Sequence, residues 1–159
     1  MKHLPKHLRP RWRYLAVGIE SSADASFDRD AFQRAIWYAA SSLHGDPGSA
    51  DADLTLFRFR LADGSGEAVV RARRGHADAA RATIACVSEV DGAPVGIHVR
   101  GISGTVRACE ERYLGRAGGD VTQRDVAFGD AESTAVVRGD AYDVRTESGV
   151  VGATAFDIE

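Results

Sequence analysis

The sequence predicts an α+β sandwich in the order β-α-β-β-α-β, with a further helix after the last strand. Three observations carry this reading. Stretches at about 13–21, 53–62, 67–74 and 94–102 have the apolar patterning of half-buried strands. Two longer stretches between them, 28–44 and 76–90, repeat their apolar residues at helical spacing. An Asp63-Gly64-Ser65-Gly66 turn joins the second and third strands as a hairpin. The chain has 159 residues, 44% hydrophobic and 27% charged, which suits one domain whose core needs no disulfide or metal staple.

The elements follow in order. In the first strand Leu15, Val17 and Ile19 face one way, Tyr14, Ala16 and Gly18 the other. Asp28 is the N-cap of the first helix, Phe27 and Phe32 form a hydrophobic staple around it, and Phe32, Ile36, Ala39, Ala40 and Leu43 make the buried stripe. Gly45 stops the helix, and 46–52 reads as loop. The second strand turns Phe57, Phe59 and Leu61 to the core. The second helix buries Ala77, Ala80, Ile84 and Val87 and ends at Asp91-Gly92. The fourth strand points Val95, Ile97 and Val99 inward, and a third helix over 105–115 is broken by Gly115, Gly118 and Gly119. Two split βαβ units in this order make a ferredoxin-like sandwich of the kind seen in RNA-recognition motifs. The division expected is a basic arm over 1–12, a domain over 13–118 and an acidic tail over 119–159. That tail is expected to be disordered or to add one edge strand.

Charge is unevenly spread. Residues 1–14 carry Lys2, Lys6, Arg9, Arg11 and Arg13 and no acid, whereas 119–159 holds three arginines against nine acids. Such asymmetry points to a polyanion-binding body with an acidic extension, against the plainer reading of a generally charged surface. Only two of the twenty basic residues are Lys, a composition similar to that of halophilic archaeal proteins. No apolar run approaches the roughly 18–20 residues of a membrane-spanning helix, and no signal-peptide stretch follows the basic start, so membrane contact is not expected and the chain is assigned to the cytoplasm.

Catalytic and metal motifs are missing from the pattern. Cys86 and Cys109 match no zinc or redox spacing and read as small buried residues of helices. His3, His7, His44, His76 and His98 are scattered, and Glu110 and Glu111 are helix neighbours that diverge. No catalytic side chain, metal site or bound cofactor is expected in the chain.

Strand parity instead gathers cations. With Leu15, Phe57, Phe59, Val70 and Ile97 turned to the helices, Trp12, Tyr14, Arg58, Arg60, Arg71, Arg73, His98 and Arg100 fall on or beside the opposite face. Aromatic rings stack on unpaired bases and Arg clamps phosphate, which suits RNA. The competing reading is a face covered by the third helix or by a partner, with its arginines paired to acids. The signature aromatics of a true RNA-recognition motif are lacking at Arg71-Ala72-Arg73. Trp37 and Tyr38, off the main stripe of the first helix, read either as a partner surface or as a wider core arc.

The segment Gly101-Ile102-Ser103-Gly104-Thr105-Val106-Arg107 runs from strand to helix. Its glycines, hydroxyls and cation at a helix start suit a phosphate, but on physical grounds alone they suit a capped strand-to-helix turn better. This segment resembles the Val-Ser-Gly-Thr-Ile-Arg/Lys signature of protein component 2 of archaeal and eukaryotic ribonuclease P. Leu8-Arg9-Pro10-Arg11-Trp12-Arg13-Tyr14-Leu15, about 90 residues earlier, resembles that family's Leu-Arg-x-(Lys/Arg)-x-Arg-Tyr start. The resemblance covers roughly residues 4–117 and leaves the acidic tail outside.

The resemblance implies a protein subunit of the ribonucleoprotein that removes the 5′ leader of precursor tRNA, with the RNA subunit performing hydrolysis using Mg²⁺. It implies ribonuclease P RNA as partner, precursor tRNA through the complex, and a second protein subunit joined in a heterotetramer. Lys6, Arg9, Arg11 and Arg13 would then contact phosphates, Trp12 and Tyr14 would stack or pack, and Ser103, Gly104, Thr105 and Arg107 would form a backbone-rich contact. The alternative is a ferredoxin-like interaction or regulatory module without RNA. A free-standing ribonuclease is disfavoured because no acid–base pair is visible.

Overall fold

In the computed structural model, which describes residues 3–115, 122–138 and 140–158, the chain forms two antiparallel sheets and three helices. Lys2 and the Gly118–Gly119 break lie outside the described residues. The first sheet contains β1 (Trp12–Ser21), β2 (Thr55–Ala62), β3 (Ser65–Arg73), β4 (Glu89–Val90) and β5 (Ala93–Ser103), in the order β2-β3-β1-β5-β4. Helices α1 (Arg29–Ala52) and α2 (Ala77–Ala85) pack on one of its faces. Leu15, Val17 and Ile19 of β1 and Val70 of β3 meet Phe32 and Ile36 of α1 and Ile84 of α2 there, all essentially buried.

The start of α1 is as its sequence dictates. Asp28 Oδ1 accepts a hydrogen bond from the Ala31 N–H at 2.8 Å, and the Phe27 and Phe32 rings stack at 6.3 Å, which closes the cap and staple. Gly45 breaks the helix with φ +73°, but the chain resumes through Pro47 and ends at Ala52, where the sequence reading had a loop. Proline suits that restart, because its missing N–H falls in a first turn that has no acceptor for it. Buried Gln33 ties α1 to β2: its Oε1 accepts from Leu56 N–H at 2.6 Å.

The second helix is shorter than 76–90. It ends at Ala85, and Glu89–Val90 pairs with Ala93–Pro94 as the hairpin β4–β5. Asp91 and Gly92 both take positive φ, +48° and +77°, so the pair read as a helix stop is a two-residue hairpin turn. Asp63-Gly64 does the same between β2 and β3. Cys86 therefore lies past the helix and is exposed, while Cys109 is buried.

Two irregularities correct the strand parity. On β2 the register shifts between Leu56 and Arg58, so Leu56 enters the core and Phe57, expected inward, turns outward and is 43% exposed. On β5, Val17 pairs with Val99 but Ala16 with Gly101, leaving Arg100 as the extra residue and returning Ile102 to the core side.

The face opposite α1 and α2 carries two covers. Helix α3 (Val106–Tyr113) lies over its β1-start end. Residues 122–158, expected to be disordered or a single edge strand, instead form a four-stranded meander of β6 (Thr122–Phe128), β7 (Ala131–Arg138), β8 (Ala141–Thr146) and β9 (Gly149–Thr154). Its small core is Val126, Ala135, Val144 and Ala153, and a Phe128–Ile158 bridge stitches its ends together. Short apolar pairs amid Asp, Gly and Thr suffice for this because four brief strands pool them on one apolar face.

Candidate nucleic-acid interface

The arm enters β1 through a 3-10 turn over Lys6–Leu8, and Lys6, Arg9 and Arg11 are exposed. Arg9 Nε donates to the Leu4 carbonyl at 2.8 Å. Pairing of β1 with β3 sets Trp12 against Arg73 and Tyr14 against Arg71. The Arg71 guanidinium sits 4.0 Å from the Trp12 ring centroid and that of Arg73 5.9 Å, so one indole carries two cations. Arg73 also pairs with Asp53 at 3.6 Å. Arg74 donates its backbone N–H to the Arg11 carbonyl at 2.8 Å, which brings a further exposed arginine to this end.

Pairing of β1 with β5 sets Tyr14 against Ser103, so the Gly101–Arg107 segment arrives beside the arm. A Cβ on Gly104 would lie 3.2 Å from Arg13 Nη1, a close approach that glycine permits. Two segments far apart in sequence thus meet at one end of the sheet. Ser103 is buried. Thr105 is the N-cap of α3, its hydroxyl accepting from Ala108 N–H at 3.2 Å, so the capped turn is realised. Arg107 is exposed and pairs with Glu111 one turn on at 2.7 Å.

Helix α3 covers the same face next to this end. The Tyr113 ring lies on Gly101, where an added Cβ would fall 2.2 Å from Cζ. Cys109 packs with Ala16 and Val69, and burial, aided by the neighbouring Glu110 charge, pushes its thiol up to about 11. Arg58 pairs with Glu110 at 2.5 Å. Glu67 joins Arg60 at 3.2 Å and Arg100 at 2.5 Å, and Arg100 also donates to the Tyr113 carbonyl. Of the arginines expected on an open face, Arg58, Arg60 and Arg100 are thus held by carboxylates around α3. Arg71 and Arg73 sit on Trp12, beside the arm. His98 covers Gly18, where a Cβ would meet its ring at 2.1 Å.

Sequence reasoning missed Arg74 and Phe57. The run Arg71-Ala72-Arg73-Arg74 signalled the first, because the cationic cluster continues past the strand end. The adjacent apolar pair Leu56-Phe57 signalled the second, since two neighbours cannot both face the core of a regular strand. On the far side of α1, Trp37 donates its indole N–H to the Leu54 carbonyl at 2.7 Å, and Tyr38 is exposed. Tyr38 borders a groove of about 630 Å³ lined also by Ala35, Leu43, Cys86 and Val87. Among the described residues no three His, Cys, Asp or Glu side chains group as a metal site.

The profile of the Rpp14/Pop5 family matches residues 13–114 of the chain. A ribonuclease P protein component 2 from Halorubrum lacusprofundi is 73% identical over all 159 residues of both chains. One from Natronomonas pharaonis is 60% identical over 158 residues, 99% of this chain and 98% of its own. A chain of the cryo-EM structure of yeast ribonuclease MRP aligns over 60% of this chain and 75% of its own, with 16% identity and a TM-score of 0.47.

Proposed function

The chain belongs to the Rpp14/Pop5 family and is a ribonuclease P protein subunit, and we propose that in this role it holds RNA at the basic end of the first sheet and supplies no catalytic group. One observation carries the assignment of the surface: the arm, Trp12 with its two arginines, and the Gly101–Arg107 segment converge there. Lys6, Arg9, Arg11, Arg13 and Arg107 are the phosphate contacts, since they are cationic and lie at or beside solvent. Arg71 and Arg73 act through Trp12, which holds them in a fixed direction. Ser103, Gly104 and Thr105 form the backbone of the contact. Arg58, Arg60 and Arg100 contribute second, after their carboxylate partners.

The reaction served is removal of the 5′ leader of precursor tRNA, with the hydrolysis performed by the RNA subunit and its Mg²⁺. The chain joins another ribonuclease P protein subunit in a heterotetramer. A ferredoxin-like sandwich is the fold reading we favour for residues 13–103, supported by the all-antiparallel order β2-β3-β1-β5 with α1 and α2 on one face.

The test is RNA affinity at matched salt. Arg11→Ala with Arg13→Ala removes two phosphate contacts, so affinity falls and the slope of log affinity against log salt lessens by about 1.5–2. An unchanged affinity and slope in a protein that melts normally would overturn the assignment of this surface.

A further inference from the structure

We propose that Phe57 is a stacking platform for an unpaired nucleobase, with Arg58 next to it on the strand and Arg71 and Arg73 further along the same row; this rests on the RNA-holding reading above and extends it to a residue outside both sequence motifs. Leu56 pairs with Val70 and Arg58 with Val69, so Phe57 is the inserted residue of a bulge. A bulge of this kind re-aims one side chain and leaves the strand otherwise intact. Here it expels a phenylalanine that a regular strand would bury, while Leu56 and Phe59 keep the core filled.

The ring is held as well as exposed. Phe57 meets Tyr14 in a T-shaped contact, centroids 5.9 Å apart and planes at 81°. Tyr14 is opposite Arg71 on β3, and Arg71 lies on Trp12, so Phe57 continues a row of rings and guanidinium groups leading to the arm. Arg58 and Arg73 pair with Glu110 and Asp53, yet their side chains remain 62% and 50% exposed, and each guanidinium keeps donors beyond the one in its ion pair. Rings interleaved with arginines on a sheet surface are how single-stranded nucleic acids are held: bases stack while cations follow the phosphates. Three arginines in one row with the ring give this surface a local positive charge, which suits a polyanion better than an uncharged apolar partner.

The experiment uses the full chain and a fluorescent twelve-nucleotide oligouridine, with an RNA duplex as the second probe. Phe57→Ala and Phe57→Leu are each expected to weaken oligouridine binding about tenfold, because both remove the ring face. The salt slope stays at the wild-type value, since no cation is lost. Duplex affinity is unchanged, and Phe57→Trp binds as wild type with its emission quenched by the stacked base. Wild-type affinity in Phe57→Leu would show that apolar bulk suffices and would overturn the proposal, as would equal losses on both probes. If Arg11→Ala with Arg13→Ala weakens binding and Phe57→Ala does not, only this proposal fails. If neither changes binding, the RNA-holding reading fails with it.

Discussion

One face of the first sheet carries two covers, and they are built on different principles. At the start of β1, α3 is seated by a ring on a glycine, Tyr113 on Gly101, and by arginine–carboxylate pairs around its rim. That cover leaves cations and rings half in solvent. At the end of β1, β9 sets Val150 into the space over Gly96, and Arg145 of β8 reaches Glu20 at 3.6 Å. That cover removes its part of the face from solvent and presents acids instead: 122–158 carries seven carboxylates against three arginines. The first cover lies within the family match at 13–114 and the second beyond it. Charge therefore runs from basic to acidic along β1, so a polyanion meets attraction at one end and repulsion at the other. On the reading proposed above, the first cover borders the RNA-holding end and the second closes a surface.

The sharpest way to break the contrast is to add one carbon at each glycine. Gly101→Ala puts a Cβ 2.2 Å from the Tyr113 ring, which is stiff and sits on a packed helix. We expect a loss of about 3 kcal/mol, a fall in Tm of roughly 6–12 °C, and partial recovery with Tyr113→Ala. Gly96→Ala meets Val150 Cγ1 at 2.7 Å and its Cβ at 3.2 Å, a shallower overlap than at Gly101, and should cost about 1 kcal/mol. Thermal melts of the two variants side by side decide it; equal losses would mean the two covers are held alike.

The second test removes the charge at the far end. Glu20 is 4% exposed and accepts a hydrogen bond from Ser65 as well as pairing with Arg145, whose Nε and Nη2 are buried without a hydrogen-bond partner. Glu20→Ala strands that cation and should cost about 2 kcal/mol, less than for full burial because the arginine is partly solvated. Glu20→Leu with Arg145→Met should recover most of it, since an apolar pair of similar volume often replaces a buried ion pair without loss. Hydrogen exchange in β8 and β9 reads the result. A double variant no better than Glu20→Ala would show the pair to be more than a buried charge and its partner.

How much of this was legible follows the reach of each signal. The cap at Asp28, the Phe27–Phe32 staple and the Asp63-Gly64 hairpin are local, and local chemistry decides them. Phe57 was misassigned because a bulge shifts parity without altering composition. Asp91-Gly92 ends a helix or turns a hairpin equally well, and only the pairing of Glu89–Val90 with β5 chooses between them. The meander was missed because strands of six to eight residues with so few large apolar side chains give a weak period. At the candidate interface the cations were visible, but which of them a carboxylate holds depends on Glu67, Glu110 and Asp53, residues that only the fold brings near.

A smaller effect probes how tightly α3 closes. Exposed Cys86 and buried Cys109 serve as reporters. Burial favours the neutral thiol of Cys109, so its folded-state value stands at about 11 against an ordinary 9.0. The sign follows: the protonated folded form is favoured below the ordinary thiol value, and that contribution is lost as pH climbs from there toward about 11. At pH 9 the difference in thiolate fraction alone slows Cys109 about fiftyfold relative to an ordinary thiol. A thiol-labelling time course should show one fast equivalent, and a second fast equivalent in Gly101→Ala. Two fast equivalents in the wild type would mean that α3 opens readily.

The smallest effect belongs to the end of the acidic sheet. Asp157 Oδ2 accepts from the Thr154 N–H at 2.8 Å and from its hydroxyl at 2.7 Å, which holds the carboxyl below its ordinary 3.8. A lowered value means a contribution present above the ordinary carboxylate range and lost as pH falls through the lowered one. The turn it closes sets Ile158 against Phe128, the stitch between the meander's two ends. Asp157→Asn keeps an acceptor but not the charge, so hydrogen exchange at Phe128 and Ile158 should quicken while the Tm of the whole chain stays put. Because the first sheet has its own core and touches the meander chiefly through Gly96 and Glu20, a loosened stitch should not reach it. A drop of several degrees in the global melt would show instead that the acidic sheet holds up the basic end, and the division of labour between the two covers would have to be abandoned.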